Sequence, residues 1–231
     1  MKFKVFFALT ILFNLSSSDL GAAVLLKANM WSKNMTLNVV FIDGSDQQKQ
    51  WVKTYAPLWL EDSSLSFSFY DDFESAPKAT HIRISFTGNT ASVAGDHKDY
   101  FSKDPTLLLN RLNETDLPHR YIKQAVLHEF GHALGFEHEY RSPNWPHGNQ
   151  IIDKQIKRCL SLMNMDMDSQ HCHKINQPLS RQSAFVTAYD KFSIMNYTHN
   201  VELNDNQSKT VTAKTTLSFL DKLAIRNWYG N

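Results

Sequence analysis

Apolar and polar residues alternate along several stretches of the N-terminal half, which is the pattern of strands that bury one face. Residues 35–43, MTLNVVFID, are rich in β-branched and apolar side chains, and residues 65–71 and 80–88 alternate more regularly. Residues 92–96 and 105–112 contain shorter apolar runs. The pattern therefore predicts three strands, followed by two weaker candidates.

Four other stretches repeat apolar residues with the period of a helix. They are residues 45–61, 114–136, 151–163 and 216–230. Pro57 lies in the second half of the first helix, and Thr115 or Asp116 is a candidate cap for the second, with Pro118 near its first turn. The order of elements predicts a strand-rich N-terminal lobe, joined by one helix to a looser lobe that ends in another helix.

The composition restricts the partners of the protein. Its 231 residues include 24 Lys and Arg against 23 Asp and Glu, so charge offers no reason to expect nucleic acid or an anionic membrane as partner. Hydrophobic residues at 42% argue against a disordered chain. We expect one globular domain, whose oligomeric state the sequence leaves open.

The first residues have the order of a secretory signal peptide. Two lysines precede an apolar run over residues 5–15, and small and polar residues then lead to Ala22 and Ala23. We predict that residues 1–23 are a signal peptide and residues 24–231 the mature domain; the alternative is a buried N-terminal strand or helix. The apolar run is too short to span a bilayer comfortably, and no later stretch reaches the required length, so no membrane span is expected.

Residues 128–140, HEFGHALGFEHEY, concentrate three histidines and three glutamates at the end of the longest predicted helix. Residues four apart share one face of a helix, so His128 and His132 direct both imidazoles towards one point. Gly135 can adopt a positive φ, which ends the helix and turns the chain so that His138 supplies a third nitrogen. Three neutral nitrogens and one open position describe a catalytic site for one Zn²⁺, because a structural site would be closed by a fourth protein ligand.

Glu129 follows the first of these histidines and is displaced round the helix from the predicted metal. A carboxylate there can take a proton from a water that attacks a peptide carbonyl, and then pass the proton to the leaving amine. The full spacing H-E-x-x-H-x-x-G-x-x-H is much more specific than H-E-x-x-H alone. The pattern therefore favours catalysis over a histidine-rich helix end that is satisfied by hydrogen bonds in the core.

The motif HEFGHALGFEH resembles that of the metzincin zinc endopeptidases, and neighbouring residues narrow the resemblance. A glutamate directly after the third histidine, here Glu139, resembles the astacin family. Residues 189–197, YDKFSIMNY, resemble the astacin Met-turn, S-x-M-x-Y. Residues 217–230 are also similar to the closing helix of that family. The chain is identified as a distant, bacterial-type member of the astacin family.

This resemblance implies an α+β, metzincin-like fold. The fold has an N-terminal twisted, mostly parallel β-sheet with two long helices, an irregular C-terminal lobe that ends in a helix, and an active-site cleft between the lobes. The resemblance also implies a zinc-dependent endopeptidase that acts on proteins or peptides. His128, His132 and His138 are then the zinc ligands and Glu129 is the general base.

The Met-turn supplies two further candidates. The resemblance implies that Tyr197 is an additional zinc ligand at rest and swings to hydrogen-bond the oxyanion of the reaction; the alternative is a buried tyrosine in a turn. Met195 is expected to form an apolar floor below the site, because a thioether is a poor match for zinc among imidazoles.

Cys159 and Cys172 are the two cysteines of the chain. In an exported protein a disulfide can join them, whereas the two-disulfide framework usual in astacins cannot be built from two cysteines. The sequence HCH at residues 171–173 leaves a second metal site as an alternative, since Cys and His are soft ligands.

Other functions remain open at this point. One is an inactive metal-binding module that docks a partner in its cleft, but such proteins usually lack the general base, and Glu129 is present. Another is an enzyme of a different metzincin family, against which Tyr197 and Glu139 argue. We expect secretion, with the periplasm or delivery into a host cell as alternatives.

Overall fold

The computed structural model describes residues 23–88, 90–114, 116–146, 149–162, 169–202 and 208–231. Of the predicted signal peptide, only Ala23 lies within the described residues. In chain order the elements are β1 (Val24–Leu26), β2 (Thr36–Phe41), α1 (Asp46–Tyr55), β3 (Ser66–Tyr70), β4 (Ile82–Ser85), β5 (Ala91–Ser92), β6 (Leu107–Leu108), α2 (His119–Ala133), β7 (Phe136–Glu137), α3 (Gln150–Leu162), α4 (Ser169–Asn176), β8 (Ala184–Val186), β9 (His199–Glu202), β10 (Ser208–Val211) and α5 (Phe219–Tyr229).

The N-terminal lobe is built on a five-stranded sheet with the strand order β3-β2-β4-β6-β5. Its first four strands pair in parallel, and only the edge strand β5 is antiparallel to its neighbour β6. The sheet therefore confirms the predicted mostly parallel arrangement. The three main predicted strands are present, whereas β5 and β6 are only two residues long and β5 overlaps its predicted stretch only at Ser92.

The first helix follows its sequence signals closely. Ser45 caps α1 in a capping box with Gln48, in which each side chain accepts a hydrogen bond from the backbone of the other residue. Pro57 removes a backbone donor, and residues 56–60 continue as a 3-10 helix. Trp59 in this turn is fully buried and donates its indole N–H to the carbonyl of Leu127. This contact fastens the 3-10 turn to α2.

The long helix α2 begins later than expected. Its first residue is His119 and Pro118 is its N-cap, whereas the sequence favoured a cap at Thr115, which lies outside the described residues, or at Asp116. The proline ring disfavours helical backbone in the preceding residue, Leu117, so the helix cannot extend back through it. Most residues from Ile122 to the end of α2 are buried, which places the histidine motif inside the protein.

The C-terminal lobe contains more regular structure than its polar sequence suggested. Besides α3 and α5, it has the helix α4 and an antiparallel hairpin of β9 and β10, neither of which was predicted. Strand β8 pairs with β1, and β1 also pairs with β7, so a second small sheet joins residues from three distant parts of the chain. Such short strands are stabilised by their partners and not by their own sequence.

Two observations answer questions that the sequence left open. A disulfide joins Cys159 of α3 to Cys172 of α4 across 13 residues of sequence, which uses both thiols and excludes a thiolate metal site at residues 171–173. In the part of the chain that the structure describes, no helix is both long and apolar enough to cross a membrane.

Candidate metal centre

Three imidazole rings meet where α2 ends. His128 and His132 lie one turn apart on α2, with 8% and 7% of their surface exposed. The Nε2 atom of each lies 3.1 Å from Nε2 of His138. The three predicted ligands therefore present the same ring atom to one point. Among the described residues, no other group of three or more His, Cys, Asp or Glu side chains could share a metal ion.

The turn that brings in His138 depends on Gly135. Its φ is +95°, which L side chains rarely adopt, and its N–H donates to the carbonyl of His132 at 2.7 Å. The chain then runs as β7 beside β1, with Phe136 opposite Leu25. This pairing directs the chain back along the end of α2, so the expected return of His138 is explained by the glycine and the strand together.

Two backbone carbonyls orient the helical histidines. Nδ1 of His128 lies 2.8 Å from the carbonyl oxygen of Ile194, and Nδ1 of His132 lies 2.8 Å from that of Phe136. A carbonyl oxygen only accepts hydrogen bonds, so each Nδ1 must carry the proton. Each Nε2 then has a free lone pair that points at the common centre, as a metal ligand requires.

The donor set suits Zn²⁺. Zinc binds imidazole nitrogen at about 2.0–2.1 Å in a tetrahedral arrangement, which places two ligand nitrogens about 3.3 Å apart. The observed spacing of 3.1 Å is close to this value. Burial lowers the pKa of His128 to about 3 and that of His132 to about 4, and it lowers the pKa of His138 as well. The rings are therefore neutral, and able to bind a metal, well below neutral pH.

Glu129 is buried beside this cluster, with 7% of its surface exposed. One of its carboxylate oxygens has no hydrogen-bond partner among the described residues. Because burial penalises the charged form, the pKa of Glu129 is raised to about 8. The residue that follows His128 therefore has a buried carboxyl group with a free oxygen and a pKa suited to proton transfer near neutral pH.

Aromatic rings enclose the third histidine. The ring centroid of Tyr197 lies 4.4 Å from that of His138 and 5.4 Å from that of His128. The ring of Tyr140 also stacks on that of His138, with centroids 5.2 Å apart and ring planes 12° from parallel. Burial raises the pKa of the Tyr197 phenol, so this group keeps its proton. The structure therefore places the ring of Tyr197 against the histidine cluster.

Met195 lies below α2 and is fully buried. A Cβ atom at Gly131 would overlap Sδ of Met195 and would lie 3.0 Å from Trp59. Gly131 precedes His132, so the absence of a side chain lets the Met-turn approach the helix at the position of the ligands. This agrees with the predicted role of Met195 as an apolar floor.

Helix α5 holds the Met-turn in place. Asp221, at 1% exposure, accepts hydrogen bonds from the N–H of Ile194 at 2.9 Å and from Oγ of Ser193 at 2.7 Å. Ile194 in turn orients His128 through its carbonyl. Asp221 was not singled out from the sequence, where its only signal is its position in a capping box with Ser218.

Two charged neighbours of His138 were also missed. Glu137 and Arg141 form an ion pair at 2.8 Å, with both side chains 11% exposed. Glu139, between them, is buried and accepts a hydrogen bond from the N–H of Asp190 at 3.3 Å. Burial and the nearby Asp221 raise the pKa of Glu139. Opposite charges four residues apart are the only sequence signal for the ion pair, and they are common on exposed surfaces.

Comparison with known proteins identifies the family. Residues 119–230 match the model of the peptidase family described as Astacin. This segment begins with α2 and ends with α5, and so includes the histidine motif and the Met-turn. No curated protein matches the sequence of the chain.

Solved structures show the same fold. A structure of myroilysin is 22% identical, with a TM-score of 0.73 over 90% of this chain and 98% of that one. High choriolytic enzyme 1, a hatching enzyme zinc-protease from the medaka fish Oryzias latipes, is 14% identical, with a TM-score of 0.52 over 86% of this chain and 92% of that one. The family match shows that residues 119–230, which include the histidine motif and the Met-turn, belong to the astacin family of zinc metalloendopeptidases, and the solved structures show that the chain as a whole shares their fold.

Proposed function

We propose that the chain is a secreted endopeptidase in which His128, His132 and His138 hold one Zn²⁺ and Glu129 is the general base. The observation that carries the proposal is the convergence of three Nε2 atoms, two of them from buried rings, together with Glu129, the residue after His128, which has a buried carboxylate with a free oxygen. When bound, Zn²⁺ supplies Lewis acidity, which polarises the peptide carbonyl and makes water a better nucleophile.

Glu129 takes the proton from the water as it attacks the carbonyl carbon. A base is most effective when its pKa is near the working pH, and burial places that of Glu129 at about 8 before any metal charge acts on it. The same carboxyl group then gives the proton to the leaving amine nitrogen, so the carboxylate is regenerated and the peptide bond is cleaved. An inactive metal-binding module would have no use for this costly buried acid.

Tyr197 is the second catalytic group of the proposal. Its ring lies against two of the three imidazoles, and its phenol remains protonated. A phenolic O–H near the metal can donate a hydrogen bond to the negative charge that develops on the carbonyl oxygen. The same group can act as a further metal ligand before the substrate arrives.

The decisive experiment compares the wild type with Glu129→Gln for zinc content and for cleavage of casein. The amide has nearly the shape of the carboxylate but cannot accept a proton. We expect one zinc per chain in both proteins and loss of most turnover in the variant. Proteolysis at the wild-type rate by Glu129→Gln would show that Glu129 is not the general base. Activity of the zinc-free protein would show that zinc is not required.

The proposal also includes export, supported by the charged, apolar and small-residue order of residues 1–23. Cleavage after Ala23 would leave Val24 at the start of the mature domain, and Val24 is buried in β1 between β7 and β8. Mass spectrometry of the protein recovered from culture medium and from cells tests this boundary. Full-length protein confined to the cytoplasm would contradict it.

A further inference from the structure

The third histidine is oriented differently from the other two. His128 and His132 each have a backbone carbonyl on Nδ1, whereas no hydrogen bond reaches Nδ1 of His138 among the described residues. Its ring instead lies against Tyr140 and Tyr197. A metal ligand that lacks a hydrogen-bonded neighbour needs another constraint on its ring. For His138, that constraint is contact with aromatic rings.

Tyr140 is itself held firmly. Only 4% of its surface is exposed, and its hydroxyl donates to Oδ1 of Asn176, at the end of α4, at 2.8 Å. Asn176 is also buried and donates its own amide to the carbonyl of Cys172 at 2.9 Å. The ring packs in an apolar cluster with side chains of α3, namely Ile151, Ile152 and Ile156. The ring beside His138 is thus held by two helices of the C-terminal lobe.

Arg141 connects the residues that follow His138 to the residues that follow α4. Its Nε donates to the carbonyl of Gln177 at 3.1 Å, and its own carbonyl accepts from the N–H of Leu179 at 2.8 Å. Its guanidinium also pairs with Glu137, on the other side of His138 in the chain. Residues 176–179 therefore bind two consecutive residues after His138, namely Tyr140 and Arg141.

The disulfide completes this connection. The bond joins Cys159 of α3 to Cys172 of α4, and the carbonyl of Cys172 accepts the hydrogen bond from Asn176. The helices α3 and α4 are separated in sequence and would otherwise be linked only through residues 163–168 and their packing. The covalent bond keeps α4 beside the apolar cluster that contains Tyr140.

We propose that Tyr140 is a positioning residue for the third metal ligand, and that Asn176 at the end of α4 holds it in place. Tyr140 acts through His138 and has no contact with substrate in this proposal. The inference rests on the proposed function, because it requires His138 to bind the metal. Its consequence is that zinc affinity depends on α3 and α4, which carry none of the ligands.

The test measures the zinc dissociation constant of the full-length protein by competition with a chelator, and the visible spectrum of the Co²⁺-substituted protein. Loss of a group that orients a ligand commonly weakens metal binding by roughly 10–100-fold. We expect a loss of this order for Tyr140→Leu, with altered cobalt bands. Tyr140→Phe keeps the ring but loses the hydrogen bond to Asn176, so it should weaken zinc binding less than Tyr140→Leu, by about as much as Asn176→Leu. Unchanged zinc affinity and an unchanged cobalt spectrum in Tyr140→Leu would overturn the proposal.

Two further variants separate positioning from general stability. Phe41→Leu removes a similarly buried aromatic ring from the five-stranded sheet and should leave zinc affinity unchanged. Asn176→Leu removes the acceptor of the Tyr140 hydroxyl without touching any ring at the metal, and should weaken zinc binding several-fold. If Tyr140→Leu does not fold, Asn176→Leu tests the proposal instead. A zinc affinity of Asn176→Leu equal to that of the wild type would overturn the proposal.

His138→Ala distinguishes failure of this inference from failure of the proposed function. If His138→Ala binds zinc as tightly as the wild type, His138 is not a ligand and the proposed function itself is wrong. If His138→Ala loses zinc while the Tyr140 and Asn176 variants retain it, the metal site stands and only the positioning role is overturned.

Discussion

The carbonyl oxygen of Ile194 accepts a hydrogen bond from Nδ1 of His128 at 2.8 Å, although 66 residues separate the two in sequence. This bond joins the Met-turn to the helix that carries the first two histidines. The N–H of Ile194 is bound in turn by Asp221 of α5. The orientation of a predicted zinc ligand therefore depends on a carboxylate at the far end of the chain.

Asp221 should make stability depend on pH. Burial raises the pKa of Asp221 from 3.8 to about 6, so the folded state keeps the proton longer than the unfolded state does. The contribution of the group to the free energy of unfolding is complete below the unfolded pKa of 3.8 and is lost as the pH rises through 6. The loss is on the order of 3 kcal/mol.

Asp221→Asn removes this titration while its amide can still accept hydrogen bonds from the backbone. The free energy of unfolding of the variant should therefore decrease less than that of the wild type between about pH 4 and about pH 7. Urea unfolding at both pH values measures the difference. An equal decrease in the two proteins would show that Asp221 does not titrate in this range.

Zinc binding should release a proton from Glu129 and not from the histidines. At about pH 6 the three imidazoles of the metal-free protein are already neutral, because burial lowers their pKa. Glu129, with a pKa of about 8, is protonated at that pH. A cation beside it favours the carboxylate and lowers its pKa, so about one proton should leave per zinc bound.

Calorimetry in two buffers of different ionisation enthalpy counts the protons released on zinc binding. Glu129→Gln should bind zinc with almost no proton release at the same pH. Release of two or three protons would mean that the histidines are protonated in the metal-free protein. The same release from the variant would assign the proton to another group.

Tyr197→Phe should lower kcat strongly and change KM little. A hydrogen bond that forms only with the developing oxyanion contributes to the transition state and not to substrate binding, and its loss costs roughly 2–4 kcal/mol. Initial rates over a range of peptide concentrations separate the two constants, and zinc content serves as the control. A kcat equal to that of the wild type would leave Tyr197 as a structural residue of the turn.

Gly131→Ala should destabilise the protein although alanine favours a helix. The gain in helix propensity is about 1 kcal/mol, whereas the added methyl overlaps Met195 and approaches Trp59, and such overpacking costs about 1–3 kcal/mol. We therefore expect a lower Tm for the variant. The double variant with Met195→Ala should show less than the sum of the two single effects. Strict additivity would mean that Gly131 and Met195 do not meet.

The local pattern of the sequence predicted the parts whose signals are local. The three main strands, α1, α3 and α5 were predicted from periodicity. The spacing of the three histidines predicted that they converge, because helical geometry brings His128 and His132 to one face and Gly135 allows the turn that brings His138 back.

Interactions between distant segments escaped prediction. The helix α4 lies in a polar stretch with little apolar periodicity, and the strands β1, β7 and β8 are stabilised by one another across the chain. The start of α2 was also placed too early, because the effect of Pro118 on the residue before it outweighed the candidate caps.

The sequence by itself determined which atoms can bind zinc, since the identity and spacing of the side chains decide the ligand set. Only the tertiary structure decided how those atoms are held. The carbonyls of Ile194 and Phe136 orient two of the rings, and a backbone oxygen leaves no signature in a sequence. The third ring depends on Tyr140, which is held by α4 and the disulfide. Such contacts exist only when the chain is folded, because they join residues whose proximity no local pattern encodes.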